Sequence, residues 1–114
     1  MKEIKAYIKT IRLEKVIHAL EQAGAPGITV VDVHPVGYGF DINYFSTDKE
    51  SIKRYFEIAK IELVVRDKEV DRLIEIIKNE SHTGYKGDGI VFVTPVEKAV
   101  KIRTGTEGEA ALEE

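Results

Sequence analysis

The chain has no cysteine and no tryptophan, one methionine and three prolines among 114 residues. Without thiols there is no disulfide, no thiolate nucleophile and no cysteine-ligated metal. No apolar run approaches the ~18 residues that a membrane-crossing helix needs. Met1 leads straight into a strand-like segment rather than a secretory leader. These absences make the cytoplasm the expected compartment. A cationic surplus is also missing: the formal net charge is −3, and residues 104–114 hold four glutamates and no cation. The chain therefore has no basic footprint for nucleic acid. His18, His34 and His82 have no ligand spacing, so no metal site is expected. No Ser/His/Asp order suggests a nucleophile, and no residue is assigned a catalytic role.

What is present fits one domain spanning 1–114, with 43% apolar and 32% charged residues. At this size a lone core is only moderately stable, and association would help. Glu3 to Lys9 alternates, with Ile4, Ala6 and Ile8 facing one way and Glu3, Lys5, Tyr7 and Lys9 the other, which predicts a half-buried strand. Leu13, Val16, Ile17 and Leu20 predict an amphipathic helix closed by Gly24. Ile28 to Val36 reads as a second strand with Pro35 near its end. Lys60 to Val65 reads as a third, with Ile61, Leu63 and Val65 on one face. Asp67 is placed to cap a second helix whose stripe is Val70, Leu73, Ile74 and Ile77. Ile90 to Thr94 reads as a buried fourth strand ended by Pro95.

The order β-α-β-β-α-β predicts an α+β, ferredoxin-like domain, a four-stranded antiparallel sheet with two helices on one face. The other face would carry Lys5, Tyr7, Glu62 and Val64, and reads either as a solvated surface or as a subunit interface. Residues 39–59 are long for a link between adjacent strands. Thr47-Asp48-Lys49-Glu50 fits a capping box, and Ile52, Tyr55, Phe56 and Ala59 follow with helical spacing. A short helix over about 48–57 competes there with a strand running back from Lys60.

The stretch Thr83 to Gly105 organises the rest. Gly84, Gly87 and Gly89 precede two short apolar runs, then Lys101 and Arg103. Such a loop can aim several N–H groups at one anion. In an extended 96–103 run, Lys101 and Arg103 would share a face. The spacing is not that of a Walker loop. The residues alone leave a phosphate site and a plain tight turn both open.

The pattern T-G-x-x-G-D-G-x-x-F-V-x-P-V-E-x-A-V-x-I-R-T-G resembles the C-terminal signature of the PII nitrogen-regulatory signal-transduction family. It is carried by Thr83, Gly84, Gly87, Asp88, Gly89, Phe92, Val93, Ala99, Val100, Ile102, Arg103, Thr104 and Gly105. The resemblance is good at the N-terminus and poor between Phe40 and Ala59. It implies a compact homotrimer whose sheets pack around a three-fold axis. It also implies a non-enzymatic regulator that binds an adenine nucleotide (ADP, ATP or AMP) between subunits. The phosphates would lie on the glycine loop, with Gly87, Asp88 and Gly89, and on Lys101 and Arg103. The turn Gly37-Tyr38-Gly39 and Val64 would lie along the nucleotide, with Thr29 and Thr83 on base or ribose. The partner would be a transporter or a metabolic enzyme, controlled through the loop at 38–59.

The departures from that pattern shape the expectation. Ile90 stands where the family's loop has a phosphate-binding Lys, and Lys101 stands where Arg is common, which removes bidentate geometry. Asp41 stands in the place of a Gln that helps hold Mg and 2-oxoglutarate. Ile58 stands in the place of a Lys that pairs with the 2-oxoglutarate carboxylate. The R-G-A-E-Y modification motif is absent. A weaker triphosphate contact follows, without 2-oxoglutarate sensing or uridylylation. Two other readings are a slow nucleotide phosphohydrolase using Asp41 or Glu107, and a trimeric interaction module that no longer binds nucleotide. Glu107, Glu109, Glu113 and Glu114 form an acidic tail, either solvated or folded over the cleft.

Overall fold

The computed structural model describes residues 1–36 and 57–113. Strand β1 (Lys2–Lys9) lies inside a four-stranded sheet with β2 (Thr29–Val33), β3 (Ile58–Val65) and β4 (Gly89–Pro95). The order is β2-β3-β1-β4 and every pairing is antiparallel. β1 pairs with β3 from Lys2↔Val65 to Lys9↔Ile58, and with β4 from Lys2↔Pro95 to Ile8↔Gly89. Helices α1 (Leu13–Gln22) and α2 (Val70–Ser81) pack on each other and seal one face. This is the ferredoxin-like arrangement that the element order predicts. No helix among the described residues is long and apolar enough to cross a membrane.

The core sits where the two periodicities meet. Ile4, Ala6 and Ile8 of β1 and Ile61, Leu63 and Val65 of β3 are buried against Val16 and Leu20 of α1 and Leu73 and Ile77 of α2. Each large aliphatic group taken from water contributes roughly 1.5–3 kcal/mol. α1 closes as predicted. Gly24 has φ +78, its N–H reaches Glu21 O at 3.0 Å, and Ala25 N–H reaches Leu20 O at 3.0 Å. That pair of bonds satisfies two helix-end carbonyls. Buried Ser81, in the last turn of α2, donates to Ile77 O.

Several expectations are corrected. β2 covers only Thr29–Val33, because its last partner in β3 is Ile58, paired with Val33. β3 begins at Ile58, not Lys60: Ile58 and Ala59 pair with Lys9 and Ile8 and are buried. The link between β2 and β3 is thus shorter than 38–59 at its far end. Most of that link, including the capping box and the helical spacing, lies outside the described residues. Asp67 does not cap a helix. The chain enters α2 through a 3-10 turn (Asp67–Glu69), and neither that turn nor α2 has a side-chain cap. The Asp67 carboxylate instead meets Lys2 Nζ at 2.9 Å and the N-terminal ammonium at 3.0 Å, and two nearby cations outcompete backbone N–H groups for it.

β4 is not buried. It is an edge strand, and Ile90, Phe92 and Val93 are 46%, 48% and 38% exposed. Residues 96–103 do not form an extended strand. Val100 makes a single bridge to Glu107, and the chain then turns back on itself. Lys101 N–H bonds Thr106 O at 2.8 Å and Gly105 N–H bonds Lys101 O at 2.7 Å, with Gly105 at φ +71. Lys101 and Arg103 therefore sit on a tight turn, and the shared strand face does not exist.

Gly89 is the most constrained backbone position. Its φ is +109, and a Cβ there would lie 1.7 Å from the Tyr7 carbonyl oxygen. At Gly24 a Cβ would meet nothing within 4 Å. Gly89→Ala should lose more than about 3 kcal/mol, the backbone strain plus a broken β1–β4 edge, and Gly24→Ala only about 1 kcal/mol of left-handed strain. Urea unfolding of both variants checks this order; equal losses would contradict it.

Candidate functional site

The glycine loop between α2 and β4 is built around one carboxylate. Asp88 accepts from Thr83 N–H at 2.8 Å and Gly84 N–H at 3.0 Å, and from the Thr83 hydroxyl. Thr83 Oγ1 accepts in turn from Tyr85 N–H at 3.2 Å. Positive φ at Gly84 (+90) and Gly87 (+89) gives the loop its curl. The N–H groups of Thr83 and Gly84, which sequence reasoning aims at an external anion, face the protein's own Asp88.

Beneath the loop lies Lys9. Alternation places it on the open face of β1, yet its side chain is fully buried at the strand end, with Nζ 3.3 Å from both Asp88 Oδ1 and Thr83 Oγ1. Asp88 is only a quarter exposed. Burial pushes the Asp88 carboxyl up, but the bonds from Thr83, Gly84 and Lys9 outweigh it and hold the group below its ordinary value. Sequence reasoning missed Lys9, because its partners Thr83 and Asp88 lie far away in the chain.

A second cluster lies at the other end of the sheet. Thr29 and Val64 line one cleft of about 280 Å³ with Glu3, Gly27, Glu62, Ala111 and Leu112. Glu62 is bound to Lys60 at 2.7 Å, which lowers its pKa, while the Lys60 pKa is raised by the same bond. Lys101 Nζ donates to the backbone carbonyl of Glu113, and Arg66 Nη2 meets the Glu113 carboxylate at 2.6 Å. Arg103 is exposed on the adjoining turn. Ala111, Leu112 and Glu113 belong to or follow a 3-10 turn (Gly108–Leu112), so the acidic tail is folded against the domain rather than solvated.

The predicted residues thus fall into two groups. Thr83, Gly87, Asp88 and Gly89 form one, beside Ile8. Thr29 and Val64 line the cleft of the other, and the tail over that cleft is held by Lys101. Gly37, Tyr38 and Gly39 lie outside the described residues, as does Asp41. Gly89 pairs with Ile8, and Val64 with Glu3. Five residues of strand rise and two strand spacings separate them, roughly 19 Å. A single chain does not bring the two groups to one ligand. Among the described residues no cluster of His, Asp or Glu could hold a metal.

This fold, with a glycine loop at one end and a cleft walled by Thr29, Val64 and the acidic tail at the other, defines a small α+β domain. The chain matches the family model "Nitrogen regulatory protein P-II" over residues 1–106. It is 41% identical to a nitrogen regulatory protein P-II from Azospirillum brasilense, over 98% of this chain and 100% of that one. It is 39% identical to a nitrogen regulatory protein P-II 2 from Methanothermobacter thermautotrophicus, over 98% of this chain and 97% of that one. The chain belongs to the P-II nitrogen-regulatory signal-transduction family, whose members matched here are named as regulatory proteins.

Replacing Asp88 by Ala strands a buried ammonium and two N–H groups and should cost about 3–5 kcal/mol. Lys9→Met leaves Asp88 partly solvated with its other donors, and should cost clearly less. The Asp88 contribution is present above the ordinary aspartate range near pH 4 and is lost as pH falls through the lowered native value. Acid unfolding of Asp88→Asn should accordingly be shallower than that of the parent chain. A Lys9→Met loss equal to that of Asp88→Ala, or an unchanged acid slope, would contradict the account.

Proposed function

We propose that this protein is a signal-transduction regulator that binds an adenine nucleotide (ATP, ADP or AMP) in clefts between adjacent subunits of a homotrimer. Occupancy then biases the segment after β2, residues 38–57, toward or away from a partner protein. The observation that carries this reading is the separation of the two half-sites. One end of each chain offers the glycine loop, whose Thr83 and Gly84 N–H groups are already held by Asp88; the other offers Lys101, Arg103 and the Thr29/Val64 cleft. A ligand of nucleotide size needs both, and a second copy supplies the missing half.

The helix-free face supports association. Tyr7 packs edge-on to Phe92 at 6.2 Å between ring centres, and Lys60 lies 6.0 Å over the Tyr7 ring. Phe92 and Ile90 beside them are about half exposed. This surface is too apolar to be left to water and too charged for a monomer core, which suits a polar-rimmed subunit contact. Lys101 gives a point charge without the bidentate fork of Arg, and Ile90 gives none. Selectivity should therefore favour ADP or AMP over ATP. In this reading Mg²⁺ is not held by the described residues and enters only with a triphosphate. The regulated partner is a transporter or metabolic enzyme, by analogy with the family alone. The ligand shifts a loop equilibrium only as far as it contacts the loop states differently.

Calorimetric titration with AMP, ADP and ATP, with and without Mg²⁺, tests the reading. It should give micromolar binding of at least one nucleotide at one per subunit. Arg103→Ala should weaken it about tenfold or more, the loss of one charge-assisted phosphate contact. No heat with any nucleotide, or stoichiometric phosphate release over hours, would overturn it.

A further inference from the structure

The acidic end of the chain docks on Arg66 and on Lys101, a cation of the proposed phosphate site. Glu113 is held twice, its carboxylate by Arg66 Nη2 and its backbone carbonyl by Lys101 Nζ. Glu109 brings a second carboxylate to 3.5 Å from Arg66 Nε, and Glu107 sits 3.2 Å from Lys98 Nζ. Gly108 N–H is anchored on Ala99 O at 2.9 Å. Between these anchors Ala111 and Leu112 form a wall of the cleft that also contains Thr29 and Val64. Leu112 and Glu113 extend over a neighbouring cleft of about 450 Å³ beside Arg66 and Arg72. The segment thus covers the apolar wall and engages Lys101 at the same time, and it does so with anionic groups.

We propose that residues 107–113 are a built-in competitor for the anion half-site: the docked tail and a bound polyphosphate exclude each other. The inference rests on the nucleotide-binding reading for the identity of the ligand, but its physics applies to any polyphosphate. A phosphate chain at Lys101 would compete for the ammonium that now holds the Glu113 carbonyl and would approach the negative charge of the same residue, and like charges repel. Leu112 fills the space along Val64 that an apolar ligand surface would take. Arg66 is a positioning residue here. It holds Glu113 and acts on the ligand only through the tail.

The anchors are exposed ion pairs, weak one by one, so the tail leaves readily. A docked-to-free ratio on the order of ten would weaken apparent affinity about tenfold. Binding then releases the tail, which makes the C-terminus a reporter of occupancy.

The test compares the full chain, a chain ending at Leu112, and Arg66→Gln, each titrated with ADP, ATP and inorganic tripolyphosphate. Amide exchange over 107–113 is followed in the full chain. Affinity should rise about three- to tenfold in the shortened chain and in Arg66→Gln. Arg66→Gln placed in the shortened chain should add only the smaller effect of releasing Glu109. Saturating ligand should speed tail exchange in the full chain. Equal affinity in all forms, weaker binding by the shortened chain, or tail exchange that slows with ligand would each overturn the proposal. If the shortened chain gains affinity for tripolyphosphate but no nucleotide binds, the competitor stands and the nucleotide reading falls. If nucleotides bind all forms alike, the nucleotide reading stands and the competitor falls. If no probe binds any form, both fall.

Discussion

The pairing of Asp88 with Lys9 is the interaction on which the upper end of this molecule depends. A fully buried ammonium is tolerable only beside a carboxylate, and Asp88 is that carboxylate. The same group draws in the N–H groups of Thr83 and Gly84 and so sets the curl of the glycine loop. The loop delivers Gly89 against the Tyr7 carbonyl, where no side chain fits. β4 then starts in register with Ile8. One electrostatic contact therefore fixes the loop shape, the entry of the edge strand and the position of the chain's half-site.

The lower end follows a different logic. There the cations are exposed or half-exposed and their present partners are exposed carboxylates and a backbone carbonyl of the chain's own tail. The glycine loop at one end and the exposed cations at the other are held apart by the sheet. The proposed nucleotide site, made from both, is assembled from two chains, and in that proposal ligand binding is linked to association.

The parts of this picture that were legible in the sequence are those set by local periodicity. β1, α1 and α2 and their core faces follow from spacing, and the Gly24 helix end follows from a left-handed position that glycine alone fills cheaply. The glycine loop was legible as a motif, and its resemblance to the P-II signature agrees with the family match. What was not legible depends on distant partners. Lys9 reads as a surface residue because its counterion lies 79 positions away. Asp67 reads as a helix cap because the competing N-terminal ammonium is brought near only by β1. Residues 96–103 have strand composition, yet a strand needs a partner, and Gly105 turns the chain back before one is found. The two readings of the tail, solvated or folded over the cleft, stay open in the sequence because Arg66 and Lys101 hold Glu113 only after folding.

The central claim is that each site is shared by two chains, and complementation tests it most directly. Arg103→Ala impairs the cationic half-site and Gly87→Val the loop half-site, and each pure variant should bind nucleotide about tenfold or more weakly than the parent. After co-refolding at equal amounts, random mixing in a closed ring gives roughly a quarter of the clefts two intact halves. Recovery of about that fraction of binding capacity, at the parent affinity, is the predicted result. No recovery from the mixed protein, with both variants folded and associated, would contradict a shared site.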